Sequence, residues 1–277
     1  MTELLDSIRR HTVYDLAQPY FIGMPHFPTH PPYLFGLTRK HGDMLWEGNV
    51  SSSADSIAFG GHVGTHIDAL CHFSSNGRLH GGIQAAAVQS HYGGFSELSV
   101  DTVAPILRRG VLLDIAAEMK PETNSDTLPA DFAITPDHLE RALKAQQTAI
   151  EPGDVVLLRT GWALFFPDAA RYLTGGQSAG NYSGHAVTGP GPELEAARWL
   201  SERGVFAAGS DTIAFEKVPA ARMPVHVHLL VESGIHIIEA LNLEDLSRNR
   251  IFEFVFVAAP LKIRGGTGSP IRPLALA

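Results

Sequence analysis

Four side chains that can bind a metal ion or carry a proton lie within eleven residues of the chain: His62, His66, Asp68 and His72. Their successive spacings are 4, 2 and 4 residues, so every spacing is even. Even spacing places side chains on one face of an extended strand, and a spacing of four makes neighbours on a helix. Imidazoles beside a carboxylate are the mixed ligand set that divalent metals bind. The motif therefore predicts a metal site or a catalytic site, on either kind of backbone.

The residues around this motif must hold its side chains in place. Ala54 to Phe59 alternates weakly between apolar and polar residues and predicts a strand that leads into the motif. Gly60, Gly61 and Gly64 allow the backbone to bend tightly between the candidate ligands. Cys71 lies at an odd position relative to the even-spaced set, so we expect a small buried residue and not a thiol nucleophile.

A second group of polar residues lies far downstream, where Pro224-Val225-His226-Val227-His228 precedes the apolar run that ends at Glu239. Burying a neutral polar group without a partner costs roughly 2–7 kcal/mol, and burying a charge costs more. A buried Glu239 would therefore need a cation or a strong donor, which a metal could supply. The alternative places Glu239 at an exposed strand end, paired with an arginine.

The rest of the chain alternates short apolar runs with amphipathic helical segments, which is typical of an α/β protein with a largely buried sheet. The predicted strands are 110–115, 153–159, 204–209, 235–238 and 250–258, and the predicted helices are 3–10, 135–144, 192–202 and 225–232. The proline-rich segment from Phe21 to Tyr33 predicts an irregular loop, either packed on the core or forming an apolar pocket wall. The glycine-rich segment 175–191 predicts a surface insertion or a lid. With no internal repeat and no linker, we expect a single domain over residues 1–277.

Composition excludes several classes of protein. The 277 residues are 44% hydrophobic and 18% charged, as in globular proteins, and the net charge of −8 argues against nucleic acid or an anionic membrane as a partner. No apolar run is long enough to span a membrane. The single cysteine rules out an intramolecular disulfide, and with no signal-peptide pattern at the N-terminus we expect a cytoplasmic protein.

The order of the motifs resembles one family. Gly61-His62-Val63-Gly64-Thr65-His66-Ile67-Asp68-Ala69-Leu70-Cys71-His72 resembles the H-x-G-T-H-x-D-x-P-x-H signature of the cyclase-type metal-dependent hydrolases, which include isatin hydrolase and bacterial kynurenine formamidase. Leu70 stands where the commoner pattern has proline, and this difference removes no ligand. The chain is longer than a minimal kynurenine formamidase and in this is more similar to the isatin hydrolase branch. Four later segments resemble the family's other blocks in the same order: Leu157–Gly161, Gly209–Thr212, Pro224–His226 and Gly268–Arg272.

This resemblance implies a swivelling β/β/α fold with a mixed, largely buried sheet, assembled as a homodimer or homotetramer. It also implies roles for individual residues. His62, His66 and Asp68 would hold a first metal, and Asp68 would bridge to a second position completed by His226 and Glu239. His228 is a rival of His226 that matches the Pro-Val-His block less well. His72 would be the general base or acid. Aromatic residues of the N-terminal loop would form a wall of the pocket, in some members of the family from the neighbouring subunit, which would place Phe27 and Trp46 near the substrate.

The function expected on this basis is metal-dependent hydrolysis of an amide bond in a small cyclic or aromatic substrate, with Mn²⁺ or Zn²⁺ as the metal. Lactam hydrolysis of the isatin hydrolase kind is the first expectation, and N-formylkynurenine hydrolysis is the alternative. A hypothesis of another class is a non-catalytic binding protein in which the metal only stabilises the fold. A serine hydrolase is disfavoured because the sequence has no G-x-S-x-G motif.

Overall fold

The computed structural model describes residues 9–176 and 187–277. The predicted helix over 3–10 and the glycine-rich segment 175–191 therefore lie largely outside the described residues. The strands of the described part are, in chain order, β1 (Val13–Asp15), β2 (Leu34–Arg39), β3 (Ala54–Ala58), β4 (His66–Asp68), β5 (Gln89–Ser90), β6 (Gly94–Phe95), β7 (Ile106–Asp114), β8 (Ala133–Ile134), β9 (Val155–Arg159), β10 (Gly191–Pro192), β11 (Ala207–Ser210), β12 (His236–Glu239), β13 (Glu253–Ala258), β14 (Gly268–Pro270) and β15 (Leu274–Leu276).

A mixed sheet forms the centre of the molecule. Within the described residues it has nine strands in the order β1-β15-β13-β7-β9-β11-β12-β4-β14. The four central strands, β7, β9, β11 and β12, run parallel. The strands on both sides of them pair antiparallel. The prediction of an α/β protein with a mixed sheet is confirmed.

The helices connect and cover the parallel strands. They are α1 (Ala85–Val88), α2 (Ile115–Thr123), α3 (Pro136–Gln146), α4 (Ala169–Thr174), α5 (Leu194–Glu202), α6 (Pro224–His226) and α7 (Glu244–Arg248), and a π-helix over Val227–Ser233 continues α6. The start of α3 shows why the sequence folds this way. Pro136 is its first helical residue, and the backbone N–H of Thr135 donates to Nδ1 of His138 at 3.0 Å. Among the described residues no helix is long and apolar enough to cross a bilayer.

The central strands are buried on both faces, which explains their continuous apolar sequences. One face packs against the side chains of α2, α3, α5 and the π-helix, in a core that includes Leu113, Leu158 and Leu230. The opposite face packs against the N- and C-terminal strands, in a core that includes Leu112 and Leu157. Cys71 belongs to this second core and is buried, as the sequence predicted.

The antiparallel edge of the sheet brings the two polar groups of the sequence together. β4 pairs with β12 so that His66 lies opposite Glu239, although 173 residues separate them in the chain. On the other side β4 pairs with β14, and Asp68 lies opposite Gly268. The sheet thus places a histidine and two carboxylates at one point on its surface.

Candidate metal centre

The centre of the site is the contact between β4 and β12. Nε2 of His66 lies 3.5 Å from Oδ1 of Asp68 and 3.3 Å from Oε2 of Glu239. These three residues, His66, Asp68 and Glu239, form a cluster, and all of them are buried. The alternative in which Glu239 ends an exposed strand and pairs with arginine is wrong, because Glu239 faces this cluster and also accepts the backbone N–H of Phe215 at 2.6 Å.

His62 and His72 flank β4 from the turns before and after it, because the strand itself covers only His66–Asp68. Their rings stack with centroids 3.8 Å apart. Nδ1 of His62 lies 2.7 Å from Oδ1 of Asp68, and Nε2 of His62 lies 2.9 Å from the hydroxyl of Thr267. The four motif residues therefore converge without sharing one strand or one helix.

Glycine is required beside His62 for steric reasons. A Cβ at Gly268 would lie 2.5 Å from Cε1 of His62, and a Cβ at Gly61 would lie 2.9 Å from the carbonyl oxygen of Gly268. Gly64 has a φ of +69°, and a Cβ there would lie 2.7 Å from Cζ of Tyr20. These close approaches let the backbone of the motif lie directly against β14 and the N-terminal loop.

His226 enters the cluster from α6. Its Nε2 lies 3.1 Å from Oε1 of Glu239, and its Nδ1 lies 2.8 Å from Oε2 of the buried Glu216. His228 points elsewhere: its Nδ1 lies 2.8 Å from the exposed Glu232, and its Nε2 lies 2.8 Å from the hydroxyl of Ser201. Of the two rival histidines, the fold brings His226 to the cluster.

The cluster has the properties of a cation site. Nδ1 of His66 donates to the carbonyl oxygen of Gly64 at 2.8 Å, which leaves the lone pair of a neutral ring on Nε2. This Nε2 and Oδ2 of Asp68 are buried and have no hydrogen-bond partner among the described residues. Ligand atoms lie within 4.8 Å of one another in two groups, His62–Asp68–His72 and His66–Asp68–Glu239. Two orphaned ligand atoms at the junction of these groups fit a divalent metal ion.

The electrostatics of the cluster keep both carboxylates ionised. Burial alone would raise the pKa of Glu239, but its hydrogen bond with His226 and the nearby His66 outweigh burial and lower the pKa to about 2. The pKa of Asp68 also lies well below its ordinary value, because the neighbouring imidazoles, with the hydrogen bond of His62 among their contacts, outweigh burial. Two buried anions held together in this way require cations beside them.

The histidines divide into two electrostatic classes. Burial opposes the charged form of His66 and His226, but the carboxylates of Asp68 and Glu239 beside His66, and the hydrogen bonds of His226 with Glu216 and Glu239, raise the pKa of each to about 10. His72 has no such hydrogen bond, and burial lowers its pKa to about 3. At neutral pH the His72 ring is therefore neutral, which is the form that can accept a proton or bind a metal.

A cavity of about 240 Å³ opens directly onto the cluster. Its polar lining includes His62, His72, His226 and Glu239, and its apolar lining includes Phe27. The remaining lining residues are Thr29, His30, Phe73, Ile213, Ala214 and Met223. The cavity gives a small, mostly apolar molecule access to the candidate ligands.

Phe27 lines the cavity of its own chain, whereas Trp46 lies away from it. Trp46 lies in the connection between β2 and β3, is 47% exposed, and packs under the guanidinium of Arg39 at 5.8 Å. It does not belong to the lining of the cavity. An aromatic residue in a loop indicates an apolar contact but not which surface supplies it, so the place of Trp46 near the substrate stays a prediction.

The structure adds three residues that sequence reasoning missed: Glu216, Thr267 and His30. Glu216 binds Nδ1 of His226, and Thr267 binds Nε2 of His62. His30 lines the cavity. Thr267 carries no metal-ligand signature in the sequence. Glu216 offered a weak signal, as a charged residue within the mostly apolar stretch that follows Gly209–Thr212. His30 offered one also, as a histidine between prolines.

Comparisons with known proteins agree with this architecture. A family model described as putative cyclase matches residues 14–217. An isatin hydrolase of Roseibium aggregatum is 29% identical over 226 residues, which cover 79% of this chain and 73% of that protein. A kynurenine formamidase of Bacillus cytotoxicus is 24% identical over 265 residues, which cover 94% of this chain and 95% of that protein.

A solved structure extends the agreement to the whole fold. The crystal structure of a protein described as a novel cyclase superposes with a TM-score of 0.85 at 28% sequence identity. The superposition covers 100% of this chain and 90% of the other.

Proposed function

Because the chain belongs to the putative cyclase family, we propose that it is a metal-dependent hydrolase that opens the amide bond of a small cyclic aromatic lactam. The relatives include an isatin hydrolase and a kynurenine formamidase, and both names describe hydrolysis of a carbon–nitrogen bond. The reaction class is therefore the same for either relative.

The residues that would hold the metal are His66, Asp68 and Glu239, with His62 and His226 on either side. The orphaned Nε2 of His66 and Oδ2 of Asp68 support this assignment. A divalent metal held there, Mn²⁺ or Zn²⁺, would activate a water molecule and polarise the carbonyl of the substrate. Asp68 belongs to both groups of ligand atoms, so a second metal, if bound, would be held by the group that includes His62 and His72.

His72 would carry the proton. It lines the cavity and stacks on His62. Its ring is neutral at neutral pH and can accept a proton from the attacking water, then return it to the leaving nitrogen as the amide bond breaks. Such a group typically contributes about 10²–10⁴-fold to the rate.

One observation carries the choice of substrate: among the described residues that line the cavity, none is a lysine or an arginine. N-formylkynurenine bears an α-carboxylate and an α-ammonium group, and both would need charged partners in a confined site. A lactam fused to an aromatic ring is uncharged and flat. The walls formed by Phe27, Phe73 and Met223 suit such a molecule.

Hydrolysis of N-formylkynurenine is the second candidate. The favouring observation is coverage: the match to the kynurenine formamidase spans 95% of that protein, whereas the match to the isatin hydrolase spans 73%. A non-catalytic, metal-stabilised protein is disfavoured, because the cluster opens onto a cavity instead of being closed by protein ligands.

The deciding experiment compares kcat/KM of the purified protein on isatin and on N-formylkynurenine after loading with Mn²⁺ or Zn²⁺. We expect a preference for isatin of roughly 10-fold or more, because the charged groups of N-formylkynurenine would lack partners in the cavity. A preference for N-formylkynurenine would replace the first candidate with the second. The homo-oligomeric state and the cytoplasmic location expected from the sequence stay predictions.

A further inference from the structure

The cavity contains one imidazole that the reaction described above does not use. His30 lines the cavity, and its ring centroid lies 5.1 Å from that of His62 and 6.3 Å from that of His72. In the described part of the chain, no group forms a hydrogen bond with its ring nitrogens. A half-buried polar ring with no protein partner, at the wall of a binding cavity, is available to a ligand.

The backbone holds His30 rigidly in this place. Pro28, Pro31 and Pro32 restrict the loop, and the backbone N–H of His30 donates to the carbonyl oxygen of Phe27 at 2.9 Å. The loop is attached at both ends to the segment that precedes β4. His26 forms an isolated β-bridge with Val63, and the N–H of Gly60 donates to the carbonyl oxygen of Pro31 at 3.4 Å. His30 and His62 are therefore positioned by two backbone segments that are joined to each other.

The position of His30 also defines what it could bind. Besides the proposed metal ligands and His72, the cavity is lined by two polar residues, Thr29 and His30, and by five apolar ones. The apolar residues are Phe27, Phe73, Ile213, Ala214 and Met223. A substrate amide reacting at the cluster would present its neighbouring atoms to His30, because His30 packs beside His62 and His72. Apart from the residues of the cluster, the lining formed by the described residues carries no charged side chain, and an uncharged oxygen acceptor suits an imidazole N–H in such surroundings.

We propose that His30 is a specificity residue that donates an N–H hydrogen bond to a second carbonyl oxygen of the substrate, next to the amide that is cleaved. This inference rests on the proposed function and narrows its substrate class to lactams with two adjacent carbonyls. A site that hydrogen-bonds one substrate group disfavours analogues without that group, because its own polar atom is then left unpaired. The discrimination expected from one such bond is roughly 10- to 100-fold.

A pair of product analogues tests the proposal without turnover. Phenylglyoxylate carries a keto group beside its carboxylate, and phenylacetate has the same carboxylate without the keto group. Calorimetry with the metal-loaded protein should show that the wild type binds phenylglyoxylate roughly 10- to 100-fold more tightly. In His30→Ala and His30→Phe this preference should fall below about 3-fold, and kcat/KM on isatin should fall roughly 10- to 100-fold.

The variants separate the hydrogen bond from packing. His30→Phe keeps an aromatic ring against Phe27 and His62 and removes only the donor. His26→Ala is the matched control, because it removes a histidine from the same loop that does not line the cavity, and it should keep the wild-type preference. A His30→Phe protein with the wild-type preference for phenylglyoxylate overturns the proposal, and so does a wild type that binds both ligands equally. Failure of the wild type to hydrolyse isatin would contradict the proposed function, and the ligand pair would still decide the role of His30.

Discussion

Glu216, which binds Nδ1 of His226, offers the most direct single test of how the site is built. Glu216 is 2% exposed, and its two oxygens accept three N–H groups. Oε2 binds Nδ1 of His226 at 2.8 Å and the backbone N–H of His226 at 3.4 Å, and Oε1 binds the backbone N–H of Val225 at 3.1 Å. Glu216 thus fixes both the helix that carries His226 and the tautomer that directs Nε2 to the cluster.

Glu216→Gln changes this arrangement in a calculable way. The amide has one oxygen and one NH₂ group, so one of the three N–H groups must face a donor. A buried donor left without a partner costs about 1–3 kcal/mol. Loss of a carboxylate behind a metal-binding histidine typically lowers metal affinity about 10- to 100-fold, which is the same range of free energy. We therefore expect Glu216→Gln to bind Zn²⁺ about 10- to 100-fold more weakly than the wild type.

Competition with a chromophoric chelator measures this affinity directly. Glu232→Gln is the matched control, because Glu232 also lies 2.8 Å from a histidine Nδ1, that of His228, but on the surface. Its Zn²⁺ affinity should equal that of the wild type. Wild-type affinity in Glu216→Gln, or an equal loss in both variants, would refute the assignment of Glu216 as the residue that orients His226.

Four further predictions follow from the same structure. His226→Ala should lose bound metal and His228→Ala should keep it, as measured by metal analysis of the purified variants. His66→Ala should lose both metal and turnover, whereas His72→Ala should lose turnover and keep most of the metal; loss of the metal from His72→Ala would make His72 a ligand. Gly64→Ala should unfold at lower urea concentration than Gly77→Ala, because both glycines have positive φ but only a Cβ at position 64 meets other atoms within 4 Å. Burial raises the pKa of Asp211 from 3.8 to about 6, so its ionisation destabilises the fold increasingly from about pH 4 to about pH 6. The free energy of unfolding of Asp211→Asn, relative to that of the wild type, should therefore rise by about 2 kcal/mol between about pH 4.5 and about pH 7.5. An unchanged difference would show that Asp211 does not titrate in this range.

Local patterns predicted the parts of the molecule that depend on local chemistry. The buried strands β7 and β9 and the helix α3 follow from apolar runs and from the capping residues Thr135 and Pro136. The cluster around His66 and Asp68 follows from short spacing along the chain. The even spacing of the whole motif was less informative than it looked, because β4 ends at Asp68 and turns, not the strand, orient His62 and His72.

The site residues that the sequence did not predict are placed by contacts between distant segments of the chain. His30 reaches the cavity because the loop that carries it is bonded to the residues just before His62, and no pattern within the loop encodes that contact. Glu216 is placed by the turn that follows β11, and Thr267 by the strand pairing of β14 with β4. Trp46 is a different case, since the family resemblance implied a place near the substrate and the residue is exposed on the connection between β2 and β3 of this chain.

We expect the opening of a lactam in the cavity to require a metal held by His66, Asp68 and Glu239. The most direct measurement is the rate of isatin hydrolysis by the purified protein before chelation, after chelation, and after addition of Mn²⁺ or Zn²⁺, with the bound metal quantified at each stage. We expect turnover to disappear with the metal and to return with it. Undiminished isatin hydrolysis by the metal-free protein would contradict this expectation.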